Sequence, residues 1–146
     1  MGYFEIGIFQ PRNDLNIGTL WRSAHQLGAA GIFTIGRPYR RQTSDPFAVD
    51  QHIPLRCFPS FEHFLEARPR GAQLVAVEIG GTPLAQFSHP EVAIYLLGAE
   101  DNGLPARIID QCNALIALEA VRQVSYNVAV TGSIVMYHRV FMQAAR

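Results

Sequence analysis

The side chains of this chain that could do chemistry gather in three short segments. The first, Leu97-Gly98-Ala99-Glu100-Asp101-Asn102-Gly103-Leu104, puts a carboxylate between two glycines, directly behind the apolar run Val92 to Leu97. Glycines let backbone approach a bound molecule closely, and Glu100 supplies a charged acceptor there. The second, Asn16-Ile17-Gly18-Thr19-Leu20-Trp21-Arg22, carries an amide and a guanidinium, and the third, Ser125-Tyr126-Asn127, a hydroxyl and an amide. Taken singly, each has an ordinary explanation. Glu100-Asp101 reads as a solvated turn, Asn16 and Asn127 as helix N-caps, and Arg22 as a residue of a solvated helix face. Their weight depends on whether the fold brings them to one edge.

Several chemistries are excluded at once. All basic residues are arginine, so a lysine Schiff base, a lysine general base and a P-loop lysine are impossible. No G-x-G-x-x-G follows a strand, and there is no G-x-x-x-x-G-K or G-x-S-x-G. His25, His52, His63, His89 and His138 are scattered without ligand spacing and are expected at the surface or at caps, with no metal. Cys57 and Cys112 show neither metal-ligand spacing nor a disulfide framework, which with the absence of a basic leader at Met1 to Glu5 implies a cytoplasmic protein. No apolar run reaches the roughly 20 residues that a membrane span needs. Net charge is zero, so any nucleic-acid contact must come from local charge.

The elements that must position these residues alternate in type. With 146 residues, 49% of them apolar and 16% charged, one globular domain over 1–146 is expected. Tyr3 to Phe9 is aromatic and β-branched enough for a buried strand, which Gln10-Pro11 ends. Asn13, Asp14 and Asn16 offer N-cap chemistry to a helix in which Ile17, Leu20, Trp21, Ala24 and Leu27 share one face, with Gly28 as C-cap. Gly31 to Ile35 reads as a strand, and Arg37 to Leu55 as a long loop. A short helix follows Pro59-Ser60. Gln73 to Ile79 is a strand broken by Gly80-Gly81, and Val92 to Leu97 another. The loop 98–105, a short helix 106–111, a strand from Ala114 to Leu118 and a helix from Asn127 to Ala144 complete the chain. Strands alternating with helices imply an α/β domain with a mainly parallel sheet and helices on both faces. In such sheets ligands bind beyond the carboxyl ends of strands, where all three segments then lie. The last helix carries Val128, Val130, Ile134, Val135, Met136, Tyr137, Val140 and Phe141, apolar nearly all round. A helix of that kind is buried on several sides, and a second copy of the chain is a source of that cover.

The three segments together resemble the SpoU-type 2′-O-ribose methyltransferases of the SPOUT class, in particular their small stand-alone members. The N-x-G-x-x-x-R motif of that family is matched by Asn16, Gly18 and Arg22, G-x-E-x-x-G-L by Gly98, Glu100, Gly103 and Leu104, and S-x-N before a small-residue helix by Ser125 and Asn127. The motifs occur in order, each after a strand, and cover essentially the whole chain. The stretch Ile116 to Gln123 departs from the pattern, because it has neither the proline nor the glycine usual before the third motif.

The resemblance implies a C-terminal trefoil knot, S-adenosylmethionine as cofactor, RNA as substrate and an obligate homodimer whose active site uses both chains. It implies cofactor contacts from Leu97, Gly98, Glu100, Gly103, Ile116, Leu118, Ser125 and Asn127. It makes Arg22 the catalytic residue, with Asn16, Glu100, Ser125 and Asn127 organising it and the substrate. A guanidinium keeps its proton under physiological conditions, so positioning and charge stabilisation suit it better than a base role. Arg37, Tyr39, Arg40 and Arg41 in the long loop combine arginine with an aromatic, which suits phosphate and an unstacked base. Transfer RNA is the preferred substrate, with ribosomal RNA open. The rival expectations are a SPOUT enzyme that methylates a base nitrogen and a catalytically silent RNA-binding dimer.

Overall fold

The computed structural model describes residues 2–37, 52–99 and 102–143. Six strands form one sheet: β1 Tyr3–Phe9, β2 Gly31–Ile35, β3 Leu55–Phe58, β4 Gln73–Pro83, β5 Val92–Leu97 and β6 Ala114–Ala117. Their order is β3-β2-β1-β5-β4-β6, and every neighbouring pair is parallel. A parallel sheet needs both faces covered, which explains the unbroken burial of β2 and the nearly unbroken burial of β1 and β5. Helices α1 Asp14–Gln26 and α4 Val128–Tyr137 cover one face. Helices α2 Phe61–Ala67 and α3 Ala106–Ile109 cover the other, over an aromatic core of Phe33, Phe61 and Phe64.

The strand order puts the chemistry-bearing loops together. The chain leaves β1 for β2 and β3 on one side, then returns to build β4, β5 and β6 on the other. Ligands favour such a switch point. β6 passes β5 to pair with β4, so β4 lies between β5 and β6 with Val77 opposite both Leu97 and Ile116.

Three features depart from the sequence reading. Leu55–Phe58 pairs with β2 as an edge strand, where a loop ending at Leu55 was expected. Arg56 reaches back from it to Glu5 Oε1 at 2.7 Å, and Glu5 also accepts from Tyr3 Oη at 2.7 Å, so the buried carboxylate of β1 is satisfied. Gly80-Gly81 does not end β4. Ile116 is opposite both Val77 and Thr82, so the strand bulges at the glycines and resumes pairing. A Cβ on Gly81 would lie 2.6 Å from the Ile116 carbonyl carbon, so only glycine lets the two backbones close up there.

Of the expected cap candidates Asn13, Asp14 and Asn16, Asn13 takes the role at α1, accepting from Leu15 N at 2.8 Å. The third departure concerns a polar side chain. His89 is buried rather than superficial, with its ring nitrogens 2.6 Å from Tyr95 Oη and 2.8 Å from His138 Nδ1. Arg139 closes this network through Tyr95 Oη, Pro90 O and Glu91 O, stacked over Phe4 with 5.0 Å to the ring centre. That network ties the end of the last helix to the start of β5.

Candidate active site and cofactor cleft

The first and third segments meet where the N-terminal ends of α1 and α4 lie side by side. Asn127 is the N-cap of α4. Its Oδ1 accepts from Ala129 N at 2.9 Å and Val130 N at 3.1 Å, satisfying two of the amides that every helix start leaves unpaired. Its Nδ2 is thereby turned outward and donates to Asn16 Oδ1 at 3.0 Å. The capping of α1 falls to Asn13 and not to Asn16. Further along the same pair of helices, Ser133 Oγ donates to Ser23 Oγ at 2.9 Å. Gly132 permits the close approach, since a Cβ there would fall 2.5 Å from Leu20 Cδ1 and 3.0 Å from Leu97 Cδ1.

Arg22 is exposed on α1, one helical turn beyond Gly18. Ile17, Leu20, Trp21 and Ala24 face the core, and Trp21 Nε1 donates to Ile53 O at 3.0 Å. The polar face that carries Arg22 is therefore held in a fixed orientation.

Beside this junction, a cleft of about 340 Å³ opens at the carboxyl ends of β4, β5 and β6. That volume lies within the range of about 300–1,000 Å³ usual for small-molecule sites. Val77, Leu97, Leu118 and Val128 give apolar walls, and Ser125 and Thr131 place hydroxyls in the lining. Gly98 and Gly103 line it at the β5 turn. Gly103 has φ +62, which L side chains rarely adopt. The segment after β6 is pinned across the cleft by Tyr126 Oη donating to Glu119 O at 2.6 Å and by Ala85 N donating to Glu119 Oε2 at 3.1 Å.

The cleft also holds a residue that the sequence reading passed over. Glu78 lines it from the central strand β4. Burial pushes its carboxyl above the ordinary value, against the backbone N–H groups of Leu104 and Ile79, which favour the charged form. It stands so close to the turn that a Cβ on Gly103 would lie 2.4 Å from Glu78 Oε1. A partial signal was present: Glu78 follows the apolar run Leu74 to Val77 and precedes Gly80-Gly81, although it lacks the glycine on its other side that singled out Glu100.

The expected site residues separate into groups. Leu97, Gly98, Gly103, Leu118 and Ser125 line the cleft. Asn16 and Asn127 form the junction beside it, with Asn127 directly before the lining residue Val128. Ile116 is fully buried and lies beneath the cleft rather than in its lining, packed against Gly81. Arg37 is engaged with its own chain. Nη1 donates to Pro11 O at 3.2 Å and to Arg12 O, and Nη2 lies 3.8 Å from Asp14 Oδ1, so it braces the turn into α1. Glu100, Tyr39, Arg40 and Arg41 lie outside the described residues.

The profile of the SpoU rRNA methylase family matches residues 3–137. The chain belongs to that family. Among its relatives, the tRNA (guanosine(18)-2′-O)-methyltransferase TARBP1 of Mus musculus is 26% identical over 132 residues, 84% of this chain but 8% of that protein. An uncharacterized tRNA/rRNA methyltransferase of Archaeoglobus fulgidus is 25% identical over 142 residues, 93% of this chain and 63% of that one. The SpoU chain thus spans less than two thirds of either relative. Among solved structures, one concerned with the 2-OH methylation of C/U34 on tRNA has a TM-score of 0.83 and 27% identity. It is matched over 100% of this chain and 93% of its own. The AdoMet-bound rRNA methyltransferase of Sinorhizobium meliloti has a TM-score of 0.79 at 25% identity, over 94% of this chain and 56% of its own. The A. aeolicus TrmH/SpoU tRNA modifying enzyme reaches a TM-score of 0.85 at 16% identity, over 99% and 77% of the two chains, which speaks for the fold. The six-stranded parallel sheet is therefore the SPOUT α/β architecture.

Proposed function

We propose that this chain is an S-adenosylmethionine-dependent RNA methyltransferase that acts on a ribose 2′-hydroxyl, with transfer RNA as its substrate. The observation that carries the reading is the Asn16–Asn127 bond beside the cleft, which joins the first and third motifs of the family at the rim of a pocket lined by the second. The solved relative concerned with 2-OH methylation of tRNA is similar over the whole chain, which supports the ribose as target.

The residues of the cleft fit the cofactor. Its apolar walls suit an adenine ring, glycine backbone at 98 and 103 leaves space for close approach, and Glu78, Ser125 and Thr131 offer polar groups to the donors and acceptors of a nucleoside. When bound, S-adenosylmethionine supplies a methyl group on a positively charged sulfur. The chain's own residues do the rest. Arg22 draws in the RNA phosphate next to the target and stabilises the oxygen as it loses its proton. Asn16 and Asn127 hold α1 and α4 in register, so that Arg22 and the cleft keep a fixed separation. Positioning of this kind supplies much of the rate in a two-substrate reaction.

The same reading includes a homodimer. Part of α4 is buried within the chain through Val128, Ala129, Gly132, Val135 and Met136. Val130, Ile134, Tyr137 and Met142 are instead exposed and line a shallow surface pocket whose floor includes buried Leu84, next to exposed Phe141. A contiguous apolar patch on a small domain marks an interaction site, and a second copy that buries it would bring another α1 face to the cleft rim. We include in the proposal one domain over 1–146, a cytoplasmic location and a trefoil knot. The knot is supported by the path from edge strand β6 back across the ends of β4 and β5 to α4 against α1.

The deciding experiment incubates purified protein with radiolabelled S-adenosylmethionine and unmodified total transfer RNA, followed by nucleoside mass spectrometry. A 2′-O-methylated nucleoside is expected. A base-methylated product would assign the other SPOUT reaction, and cofactor binding without transfer to any RNA would favour a silent binder.

A further inference from the structure

Glu78 lines the cleft from the strand between β5 and β6, one residue beyond Val77, which is flanked by Leu97 of β5 and Ile116 of β6. It is the only carboxylate among the described residues of the lining. Side chains alternate along a strand. Val77 belongs to the core under α1 and α4, whereas Leu74, Ala76 and Leu104 belong to the core under α2 and α3. The contact of Glu78 with the Leu104 backbone places its carboxylate on this second side. Asn16, Asn127 and Arg22 are on the first side, with α1 and α4.

A cofactor in this cleft must present its reacting methyl toward α1 and α4, where the RNA is held. The group that meets Glu78 is then away from the sulfur. The methionine end is a zwitterion, whose carboxylate a second carboxylate repels as much as it attracts the neighbouring ammonium, so that end offers no net charge match. Adenine offers one amine among several ring acceptors, whereas the ribose offers two neighbouring hydroxyl donors that match the two oxygens of a carboxylate.

We propose that Glu78 binds the ribose hydroxyls of the adenosyl half of the cofactor, an inference that rests on the reading of the cleft as a cofactor site. The N–H groups of Leu104 and Ile79 favour its charged form against the burial that raises its pKa, and they fix the carboxylate beside the Gly103 turn of the cleft. The ligand supplies the remaining donors, replacing the water that burial has partly stripped from it.

The test is isothermal titration calorimetry of wild type, Glu78→Gln and Glu78→Ala with two probes, S-adenosylhomocysteine and 5′-methylthioadenosine, which lacks the amino-acid half. Hydrogen bonds to charged groups are strong enough that losing them weakens binding about tenfold or more. Glu78→Ala should therefore lower the affinity for both probes by the same factor. Glu78→Gln, which keeps the volume and one acceptor oxygen, should fall between it and wild type. Thermal melts of both variants establish that each is folded. Unchanged affinity in a folded Glu78→Ala protein overturns the proposal, and so does a loss confined to S-adenosylhomocysteine, which would assign Glu78 to the amino-acid half. Failure of the wild type to bind either probe would instead overturn the cofactor site itself.

Discussion

Replacing Asn127 with alanine cuts two contacts at once, and the structure lets them be separated. Oδ1 caps α4 through Ala129 N and Val130 N, and Nδ2 holds Asn16 across the helix pair. Loss of an N-cap costs about 1 kcal/mol. The side-chain bond to Asn16, exposed to water, adds roughly 0.5–1 kcal/mol. Asn127→Ala should therefore lose about 1.5–2 kcal/mol, equivalent to roughly 3–8 °C in Tm for a domain of this size.

Serine restores the cap but is too short to reach Asn16, so Asn127→Ser should recover about half the lost stability and still methylate poorly. A double-mutant cycle with Asn16→Ala isolates the bridge. The coupling should be about 0.5–1 kcal/mol in urea unfolding. Methyl-transfer rates should fall in Asn127→Ala, Asn127→Ser and Asn16→Ala alike. A coupling of zero, or a wild-type rate in Asn127→Ser, would refute the view that this bond aligns the two motifs.

Four other outcomes are expected. Arg22→Ala should abolish methyl transfer and leave calorimetric affinity for S-adenosylmethionine nearly unchanged, and Arg22→Lys should rescue little, because lysine lacks the planar fork; single-turnover assays decide. Ile134→Glu, which puts a charge into the exposed apolar patch of α4, should shift sedimentation from dimer to monomer. Gly98→Val should lower Tm and cofactor affinity together, because its Cβ would meet the chain's own Gly103 carbonyl carbon at 2.5 Å; loss of binding at an unchanged Tm would show that the side chain fills ligand space instead. Alkylation by iodoacetamide at pH 8 should reach exposed Cys57 well before Cys112, whose thiol burial pushes up to about 11 and which donates to Ile108 O at 3.3 Å; peptide mass spectrometry showing equal rates would contradict the burial of Cys112.

Local pattern made most of the elements legible, and long-range pairing decided the rest. The core face of α1 follows directly from the spacing of Ile17, Leu20, Trp21 and Ala24, all buried. β1 and β5 follow from runs of apolar residues that only a doubly covered sheet can bury. Leu55–Phe58 gives no such signal, since an edge strand is half exposed and carries Arg56, whose purpose appears only when Glu5, 51 residues earlier, stands next to it. Gly80-Gly81 reads as a stop because glycine weakens strands. In the fold it marks the bulge at which β4 meets the Ile116 backbone, a contact no local window contains.

The site shows the same division. Asn16 in isolation is an N-cap, and Asn13, three residues before it, has already taken that role. The partner 111 positions away gives Asn16 a separate task, and that partner is itself fixed by capping α4. The capping requirement thus works as a positioning device. Asn127 must turn Oδ1 toward its own helix, so Nδ2 has one direction left, and α1 meets it there. Glu78 follows the reverse logic. Its carboxylate meets backbone N–H groups that favour the charged form, yet burial outweighs them and raises its pKa, and the contact with Leu104 that fixes it lies in no local window of the sequence.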